Sequence, residues 1–403
     1  MTRRGARPHV RVAALCGMVL FLEGYDIAAI AFAIPSLLDA WHVRPAAFTL
    51  AQTGGSVGLL CGALGFGLLA DRLGRKPVLI GAAFVFGIFT LLCAFAASPG
   101  QLAALRFLTG LGLGGGIPVA IALASDCAPA GGQGRLVILM SAGVSIGNTA
   151  GGLLATQLVT RFGWQWIFVV GGVLPLLMCG LLAALLPGGA ALPVARHRDN
   201  PVGALFRDGF APVTSLLWGM NLLNLLGNYL ILLWLPAILH AAGVPPGRAI
   251  LGGTLYALGS ILGAALTAPF VDRLGPERVL ARGLALGAVS VLAIGLAAPS
   301  FWVLATLILL AGIGIGGCQH GINSLSGRLY PPAIRATGAG WALGAGRIGM
   351  IAGPAVGGVL LGLGATGNTI FLAAAVPAFG TTLLTGVLGA VQGRQAAAET
   401  ARE

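Results

Sequence analysis

The sequence predicts an all-α membrane protein with twelve transmembrane helices in two pseudo-symmetric bundles of six. Three observations predict this fold class: the composition, the number of long apolar segments, and a repeat at half the chain length. Of the 403 residues, 57% are hydrophobic and only 8% are charged, against about 45–50% and about 25% in soluble domains. A soluble protein of this length could not bury so much apolar surface, so the composition indicates a lipid environment.

Twelve apolar segments are long enough to span a bilayer, which takes about 20 residues of helix. Many of the 66 glycines lie inside these segments, where small residues allow membrane helices to approach closely. The predicted spans lie near 12–37, 46–70, 78–97, 101–124, 136–159, 164–187, 212–239, 249–271, 279–298, 302–327, 336–362 and 368–391.

The basic residues are distributed unevenly between the loops and so predict the orientation. With both termini in the cytoplasm, eighteen of the 23 Lys and Arg fall on the cytoplasmic side, two lie within spans, and three fall outside, at Arg44, Arg161 and Arg248. Cytoplasmic loops of membrane proteins carry such an excess of basic residues. The charge distribution therefore indicates a multi-pass protein surrounded by lipid, with cytoplasmic termini, and the net charge of +12 reflects this topology and not a nucleic-acid partner.

The chain repeats itself at about half its length. The stretch DRLGRK at Asp71–Lys76 returns as DRLGPER at Asp272–Arg278, 201 residues later. The stretch GLGLGG at Gly110–Gly115 returns as GIGIGG at Gly312–Gly317, 202 residues later. Matches at nearly one offset indicate a duplication of six helices.

The duplication predicts the domain organisation. An N-terminal bundle over 1–187 and a C-terminal bundle over 212–403 are joined by a cytoplasmic linker over 188–211, which is rich in Pro, Arg and Asp. Two such halves, with a substrate held near the membrane midplane, are a transporter architecture. The six cysteines are scattered singly, so their spacing predicts neither a disulfide framework nor a metal site.

One cytoplasmic loop carries a recognisable motif. GFGLLADRLGRKP at Gly65–Pro77 resembles the loop 2–3 signature of the major facilitator superfamily. The resemblance implies the major facilitator fold, alternating access, and a lattice of charges that closes the cytoplasmic side; the alternative is a solvated basic turn that only sets topology. The lattice, named here the cytoplasmic gate, is predicted to consist of Asp71, Arg72, Arg75, Asp126, Arg135 and Arg335.

Three further stretches resemble one branch of that superfamily, the aromatic acid:proton symporters. They are EGYD in span 1, RFLTGLGLGGGIP in span 4, and YPPAIRATGAGWALGAGRIGMIAGPAVGG at Tyr330–Gly358. The resemblance implies import of a small aromatic carboxylate, of the benzoate, hydroxybenzoate or phenylpropionate type, by symport with protons. The proton gradient would then drive transport without a cofactor. Many relatives carry Asp-Gly-x-Asp in span 1, whereas this chain has Glu23 in the first place.

Glu23 and Asp26 are the carboxylic acids of span 1, three residues apart and therefore on one helix face. Ionisable residues inside a span are functional candidates, and two neighbouring carboxylates in a low dielectric do not both ionise at neutral pH. The pair is predicted to carry the coupled proton, with Asp26 as the more important acid and Arg106 as the ion-pair partner of the deprotonated form. The alternatives are a polar helix cap for the two acids and a structural role for the arginine.

The predicted substrate site lies mainly in the second half. Arg347 is placed at depth in span 11, and a guanidinium can bind a carboxylate with two hydrogen bonds. Polar side chains of span 10 are predicted to form hydrogen bonds with the ring hydroxyls or the carboxylate of the substrate. His320 could equally be a packing residue. Two aromatic residues are predicted to stack on the substrate ring. The predicted set is Arg347, Gln319, His320, Asn323, Trp341 and Tyr25.

Span 7 carries Asn221, Asn224 and Asn228 on the face where the first repeat has carboxylic acids. These asparagines either offer neutral hydrogen bonds to the substrate or hold helices together. Two rival functions stay open: a proton-driven efflux antiporter of the same superfamily, and a sensor on the same scaffold, which the intact loop signature disfavours. No Ser/His/Asp set suited to catalysis is recognisable, so the sequence does not predict an enzyme, and we expect a monomer.

Overall fold

The computed structural model of the protein describes residues 6–127, 133–186, 201–207, 209–296, 300–331 and 334–400. Within these ranges every regular element is a helix, which agrees with the predicted fold class.

The helices are numbered α1 to α14 in chain order, with a 3₁₀ turn after α1 and a π turn after α11. Their bounds are α1 (Ala6–Trp41), the 3₁₀ turn (Pro45–Phe48), α2 (Thr49–Leu73), α3 (Arg75–Cys93), α4 (Pro99–Cys127), α5 (Gln133–Phe162), α6 (Gln165–Leu185), α7 (Pro201–Ala204), α8 (Ala211–Ala241), α9 (Pro246–Leu274), α10 (Pro276–Leu296), α11 (Phe301–Ala311), the π turn (Gly312–Gly316), α12 (Gly317–Leu329), α13 (Arg335–Gly362) and α14 (Gly367–Thr400).

Prolines and glycines mark several of these boundaries. Helices α4, α9 and α10 begin at Pro99, Pro246 and Pro276, where the missing N–H is harmless because a first-turn amide has no partner inside the helix. Gly74 and Gly275 connect α2 to α3 and α9 to α10 with φ angles of 90° and 83°. Glycine adopts this left-handed region without a steric penalty, which explains why the repeated DRLG stretch has glycine in both halves.

Ten helices of the described part of the chain are long and apolar enough to cross a membrane. They match the predicted spans 1 to 3 and 6 to 12. Helices α4 and α5 cover the predicted spans 4 and 5 and contain 29 and 30 residues, but some of their side chains lie outside the described set. The all-α membrane fold is confirmed, and the number of twelve spans stays a prediction.

The predicted tenth span contains a π turn that the sequence did not predict. It covers Gly312–Gly316 and joins α11 to α12. Within it, Gly314 lies so close to α10 that a side chain there would collide with the backbone of Gly283 and Gly287. Single π turns are frequent at functional sites, and this one ends three residues before Gln319.

The described contacts divide the chain into two compact units. The first unit comprises Met1–Ala195 and Leu235–Thr254, and the second comprises Arg196–Trp234 and Leu255–Glu403. The end of α8 and the start of α9 therefore belong to the first unit. The bundle and linker boundaries predicted above stay predictions, and most of the linker, residues 188–200, lies outside the described residues.

Glycines bring helices of the first unit into backbone contact. A side chain at Gly58 or Gly62 of α2 would collide with the backbone of α4, and one at Gly24 of α1 would collide with the carbonyl of Val144 in α5. Close backbone approach of this kind drives helix association in lipid. Helix α1 also contacts α4 and α6, and α3 contacts α4 and α6, so the polar face of α1 meets protein rather than lipid.

Glycines also bring α8 and α13 of the second unit into backbone contact. Side chains at Gly349 or Gly353 of α13 would collide with the carbonyls of Leu222 and Leu226 in α8. This contact sets α13 beside the asparagine-bearing face of α8, where the predicted substrate residues of the second half lie.

Candidate functional site

The central feature of the first unit is a buried ion pair between α1 and α4. Arg106 Nη1 lies 2.7 Å from Asp26 Oδ2, and the two side chains are 4% and 0% exposed. Arg106 Nη2 donates a second hydrogen bond to the backbone carbonyl of Asp26 at 3.2 Å. Thr90 of α3 donates its hydroxyl to Asp26 Oδ1 at 2.9 Å. Both carboxylate oxygens of Asp26 are therefore satisfied in the ionised form.

Small residues on α2 make room for the arginine. Gly55 faces the Arg106 guanidinium, and a Cβ at Gly55 would lie 3.7 Å from Nη2. In this structure Arg106 pairs with Asp26, one of the two acids that the sequence analysis offered as its partner. Thr90 was missed, because a lone threonine in an apolar span carries no signal that separates a ligand from a packing residue.

Glu23 has a different environment although it stands one helical turn before Asp26. Its side chain is buried, with 1% exposure, and its Oε1 lies against Gly116 of α4, where any side chain would collide with it. Glu23 Oε2 has no hydrogen-bond partner among the described residues. An ionised carboxylate buried without a partner is strongly disfavoured, so this position favours the protonated acid. The two acids of span 1 are thus distinguished by their partners.

Gln52 of α2 is a second residue that the sequence analysis missed. It is 2% exposed, and neither its amide nitrogen nor its amide oxygen has a partner within the described part of the chain. Gln52 stands three residues before Gly55 and so shares the helix face that Gly55 presents to Arg106. Buried amides of this kind normally bind water or another polar group. A glutamine inside an apolar span was the available signal.

Tyr25 serves packing in this structure. Its hydroxyl donates to the carbonyl of Ile167 in α6 at 2.8 Å, and its ring lies against Gly151 and Gly171. The residue is 2% exposed. Its predicted role in stacking on a substrate ring stays a prediction, and this conformation offers no ring face to a ligand.

In the second unit, four side-chain amides of α8 and α12 form one network, named here the amide cluster. Asn224 Nδ2 donates to Gln319 Oε1 at 2.6 Å, and Gln319 Nε2 donates to Asn221 Oδ1 at 3.1 Å and to Asn323 Oδ1 at 2.9 Å. Asn224 Nδ2 also donates to the carbonyl of Ile315 in the π turn at 3.2 Å. The carbonyl acceptor orients the Asn224 amide, so the direction of the whole chain of hydrogen bonds is defined.

The amide cluster joins two predicted substrate residues, Gln319 and Asn323, to the asparagines of span 7. It also holds α8 to α12, so the helix-joining alternative for Asn221 and Asn224 agrees with the geometry. Asn224 Oδ1 is buried without a hydrogen-bond partner among the described residues. The cluster therefore has a spare acceptor, which a hydroxyl or water can satisfy. Asn228, in contrast, accepts a hydrogen bond from the Tyr256 hydroxyl at 2.7 Å.

The α13 backbone next to Arg347 lies near the amide cluster. The preceding residue, Gly346, faces α8, and a Cβ there would lie 3.4 Å from the Cβ of Asn221. Arg347 is half-buried and close enough to Tyr229 of α8 for the two side chains to interact electrostatically. His320 is half-buried on α12 and has an interaction of its own.

Trp341 has a protein partner in this structure. Its indole stacks on that of Trp218 with ring centroids 5.7 Å apart and an angle of 17°. Trp341 precedes Arg347 by six residues on α13, about 9 Å along the axis and on a different face. Its predicted contact with a substrate ring stays a prediction. Sequence inspection did not suggest the pairing, because the two tryptophans are 123 residues apart.

The cytoplasmic gate falls largely outside the described residues. The side chains of Asp71, Asp126, Arg135 and Arg335 are not among those described, Arg72 is exposed, and Arg75 is half-buried and has an interaction partner. The charge lattice stays a prediction.

Lys76 in the same motif binds the end of a helix. Its Nζ donates to the carbonyls of Ala183 and Leu186 at 2.9 and 2.6 Å, at the C-terminus of α6. A cation is favourable there because the last carbonyls of a helix lack partners and carry partial negative charge.

Comparison with known proteins places these observations in a family. The family model of the Major Facilitator Superfamily matches residues 16–217 and 217–402. The chain is 36% identical to the 4-hydroxybenzoate transporter PcaK of Pseudomonas putida, over 91% of this chain and 90% of that protein. It is also 36% identical to the 3-(3-hydroxy-phenyl)propionate transporter of Escherichia coli strain K12, over 90% of this chain and 89% of that protein.

A solved structure agrees on the fold. The nucleoside transporter NupG superposes with a TM-score of 0.76 at 14% sequence identity, and the match covers 94% of this chain and 99% of NupG. The resemblance read from the loop motif is confirmed, as is the expectation that the protein is a transporter and not an enzyme, since the relatives are named transporters of a transporter superfamily. The chain belongs to the Major Facilitator Superfamily.

Proposed function

We propose that this protein imports a small aromatic carboxylate together with protons, by alternating access, across a bacterial inner membrane. The observation that carries the proposal is the arrangement on α1. There a carboxylate paired with Arg106 stands beside a buried acid, Glu23, whose Oε2 has no hydrogen-bond partner among the described residues. Such a site is suited to bind and release a proton while the neighbouring ion pair preserves the helix packing.

The relatives support the substrate class. 4-Hydroxybenzoate and 3-(3-hydroxyphenyl)propionate, for which two of them are named, share an aromatic ring, a carboxylate and a phenolic hydroxyl. Arg347 is suited to bind the carboxylate in a bidentate manner, and the spare acceptor of the amide cluster, Asn224 Oδ1, is suited to accept a hydrogen bond from a hydroxyl. Both groups lie on elements of the second unit.

The two acids of span 1 have separate roles in this proposal. Glu23 carries the transported proton, and Asp26 holds Arg106 in place, because the Asp26 carboxylate already accepts hydrogen bonds from Thr90 and Arg106. This assignment differs from the expectation drawn from the sequence, in which Asp26 was the more important proton site. Sequence alone could not decide between them, since both acids lie on one helix face.

Charge balance explains why loading permits transport. A buried charge without a partner is costly in the membrane interior. A proton on Glu23 removes one uncompensated charge from the first unit, and a substrate carboxylate neutralises Arg347 in the second. With both the proton and the substrate bound, neither Glu23 nor Arg347 is left with an uncompensated charge. The fully loaded carrier therefore reorients more readily than the partly loaded carrier.

The proposal includes the membrane orientation and assembly state predicted from the sequence. Both termini lie in the cytoplasm, the protein works as a monomer in lipid, and the proton gradient is its energy source. The excess of basic residues in alternate loops supports this orientation.

Vesicle transport tests the function. Purified protein in right-side-out proteoliposomes is given labelled 4-hydroxybenzoate, 3-(3-hydroxyphenyl)propionate or benzoate with an inward proton gradient. We expect accumulation inside, abolished by a protonophore. Net extrusion of the acid under the same gradient would instead support the efflux antiporter, and absence of both fluxes for all three acids would overturn the substrate class.

A further inference from the structure

A second ionic contact lies away from the site described above. Asp39 Oδ1 at the end of α1 is 2.9 Å from His240 Nε2 at the end of α8. The Asp39 side chain is 62% exposed and that of His240 only 17%. Both residues belong to the first unit, because the last turns of α8 are part of it.

Both ring nitrogens of His240 face an oxygen atom. Its Nδ1 lies 3.1 Å from the backbone carbonyl of Val244, and its Nε2 faces the Asp39 carboxylate. A carbonyl and an ionised carboxylate are acceptors only, so both ring nitrogens must donate. A neutral imidazole has a single N–H and cannot make both bonds. Only a charged imidazolium can donate to both acceptors at once, so loss of one ring proton removes one of the two hydrogen bonds.

The two residues occupy equivalent positions of the internal repeat. His240 follows Asp39 by 201 residues, the offset that also relates Pro35 to Pro236 and the two DRLG stretches. Helices α1 and α8 are thus the first helices of the two repeats, and the contact joins their corresponding ends. Because the last turns of α8 pack within the first unit, the bond holds the end of α8 against the end of α1 and opposes their separation.

Asp39 is the one acid available to His240 on this side of the membrane. In the proposed orientation the ends of α1 and α8 face outward, and of the eleven Asp and Glu only Asp39 falls in an outer segment. The charged and titratable residues on the neighbouring segments are His42 and Arg44 after α1, Arg161 in α5, and Arg248 in α9. Apart from His42, which is also titratable, these are permanent cations, and none can replace Asp39 as an anion.

We propose that Asp39 and His240 form a proton-dependent latch on the outer ends of α1 and α8. External acid charges His240 and closes the latch, and external alkali opens it, because histidine changes charge between about pH 5 and pH 8. The latch thereby senses the same external protons that drive uptake, and it slows opening to the outside when they are abundant. This inference rests on the proposed orientation and alternating access, and it does not depend on the identity of the substrate.

Distance measurement by electron spin resonance tests the latch without substrate or gradient. Nitroxide labels are attached to cysteines introduced at Ala47 and Ala242, both exposed, after replacement of the six native cysteines. The protein is measured in lipid nanodiscs at about pH 5.5 and about pH 8, which bracket the histidine range. We expect the ratio of long to short distances to rise about two- to fivefold at the higher pH, the size expected for a partly exposed ion pair.

The variants Asp39→Asn and His240→Gln should show the long-distance population at both pH values. Their double variant should add nothing further, because each single change already removes the contact. The matched control is His42→Asn, which removes a nearby exposed histidine that has φ of 51°, a conformation asparagine tolerates. It should keep the wild-type pH response.

Three results would overturn the latch: a wild-type distribution that does not change with pH, an unchanged pH response in Asp39→Asn and His240→Gln, or loss of the response in His42→Asn. A pH response that arises elsewhere in the protein would persist in both latch variants and is recognised in that way. Failure of aromatic acid transport in vesicles would remove the proposed function and leave this distance measurement unaffected.

Discussion

Helices α1 and α8 carry polar residues at equivalent positions of the repeat, but of different chemical kinds. Asn224 follows Glu23 by 201 residues, and Asn228 follows Asp26 by 202. On α1 these groups are acids, and one is held by a buried arginine. On α8 they are neutral amides, and Asn224 is bonded into a network through Gln319. Duplication has therefore kept the polar face and changed its charge.

The equivalent residues Glu23 and Asn224 share one further property. Each has a buried side-chain oxygen without a hydrogen-bond partner within the described ranges. A carboxylic acid can remove this defect by taking up a proton, whereas an amide oxygen needs a donor from outside the side chain. The difference indicates that the first half is built to respond to protons and the second to a hydrogen-bond donor such as a hydroxyl.

The largest expected effect separates the two acids of α1. With Glu23→Gln, accumulation of the acid under a gradient of one pH unit should fall from about tenfold, the limit for one coupled proton, to equilibration, while exchange between equal pools persists. With Asp26→Asn, both activities should fall together, because Arg106 loses its partner. Both are measured as labelled uptake and counterflow in proteoliposomes.

Glu277→Gln, at the start of α10 and outside the site, is the matched control and should transport as wild type. Full accumulation in Glu23→Gln would contradict the assignment of the proton to this residue.

The second effect is on stability and should be confined to the charged half. Arg106→Gln leaves the Asp26 carboxylate buried without its cation and should reduce the free energy of unfolding by about 3–5 kcal/mol, measured by chemical unfolding in detergent. Because the double variant Asp26→Asn/Arg106→Gln has no unpaired charge, it should recover part of this loss. The exposed Arg161→Gln in α5 serves as control, with a change within about 0.5 kcal/mol. If the free energy of unfolding of Arg106→Gln also fell by no more than about 0.5 kcal/mol, the ion pair would not be needed for folding.

The third effect tests anion binding in the other half. Arg347→Lys keeps the charge but loses the planar two-pronged donor, and we expect the affinity for 4-hydroxybenzoate to fall about 10- to 100-fold, equivalent to one or two charged hydrogen bonds. Isothermal titration calorimetry on folded protein measures it, with the exposed Arg282→Lys as control. Unchanged affinity would exclude Arg347 as the carboxylate ligand.

The smallest effect concerns the amide cluster. Gln319→Leu removes the centre of the cluster, but Asn224 keeps its bond to the Ile315 carbonyl, and hydrogen bonds between membrane helices are worth about 0.6 kcal/mol on average. The free energy of unfolding should therefore fall by only about 1 kcal/mol, measured as for Arg106→Gln. A loss as large as that of Arg106→Gln would remove the contrast between a charged and a neutral half.

Much of the fold was accessible from the sequence because it follows from solvent and chain length. Apolar runs of bilayer length identified the spans, and their positions agree with ten membrane helices of the described chain. The DRLG motif identified the superfamily. The depth of Glu23 and Asp26 was also predictable, since their positions within an uninterrupted apolar segment place them away from the membrane surface.

The details of the site were less accessible. Sequence spacing put Glu23 and Asp26 on one face but could not show that Arg106 reaches only one of them in this structure. Gln52 and Thr90 were missed because the role of a polar residue in a membrane span depends on the side chains around it. The sequence does not show which side chains these are. Tyr25 and Trp341 were predicted to stack on a substrate, whereas their rings here contact Gly171 and Trp218.

The sequence by itself determined the solvent, the helices, the repeat and the chemical types available on each half, because these depend on local composition and on periodicity along one chain. Only the tertiary structure decided which of two acids is paired, which amide oxygen is left without a donor, and that His240 meets Asp39. Each of these depends on side chains brought together from helices far apart in the chain. The same residues at the same spacing would permit several pairings, and close packing at the glycines of α1, α2 and α4 selects one of them.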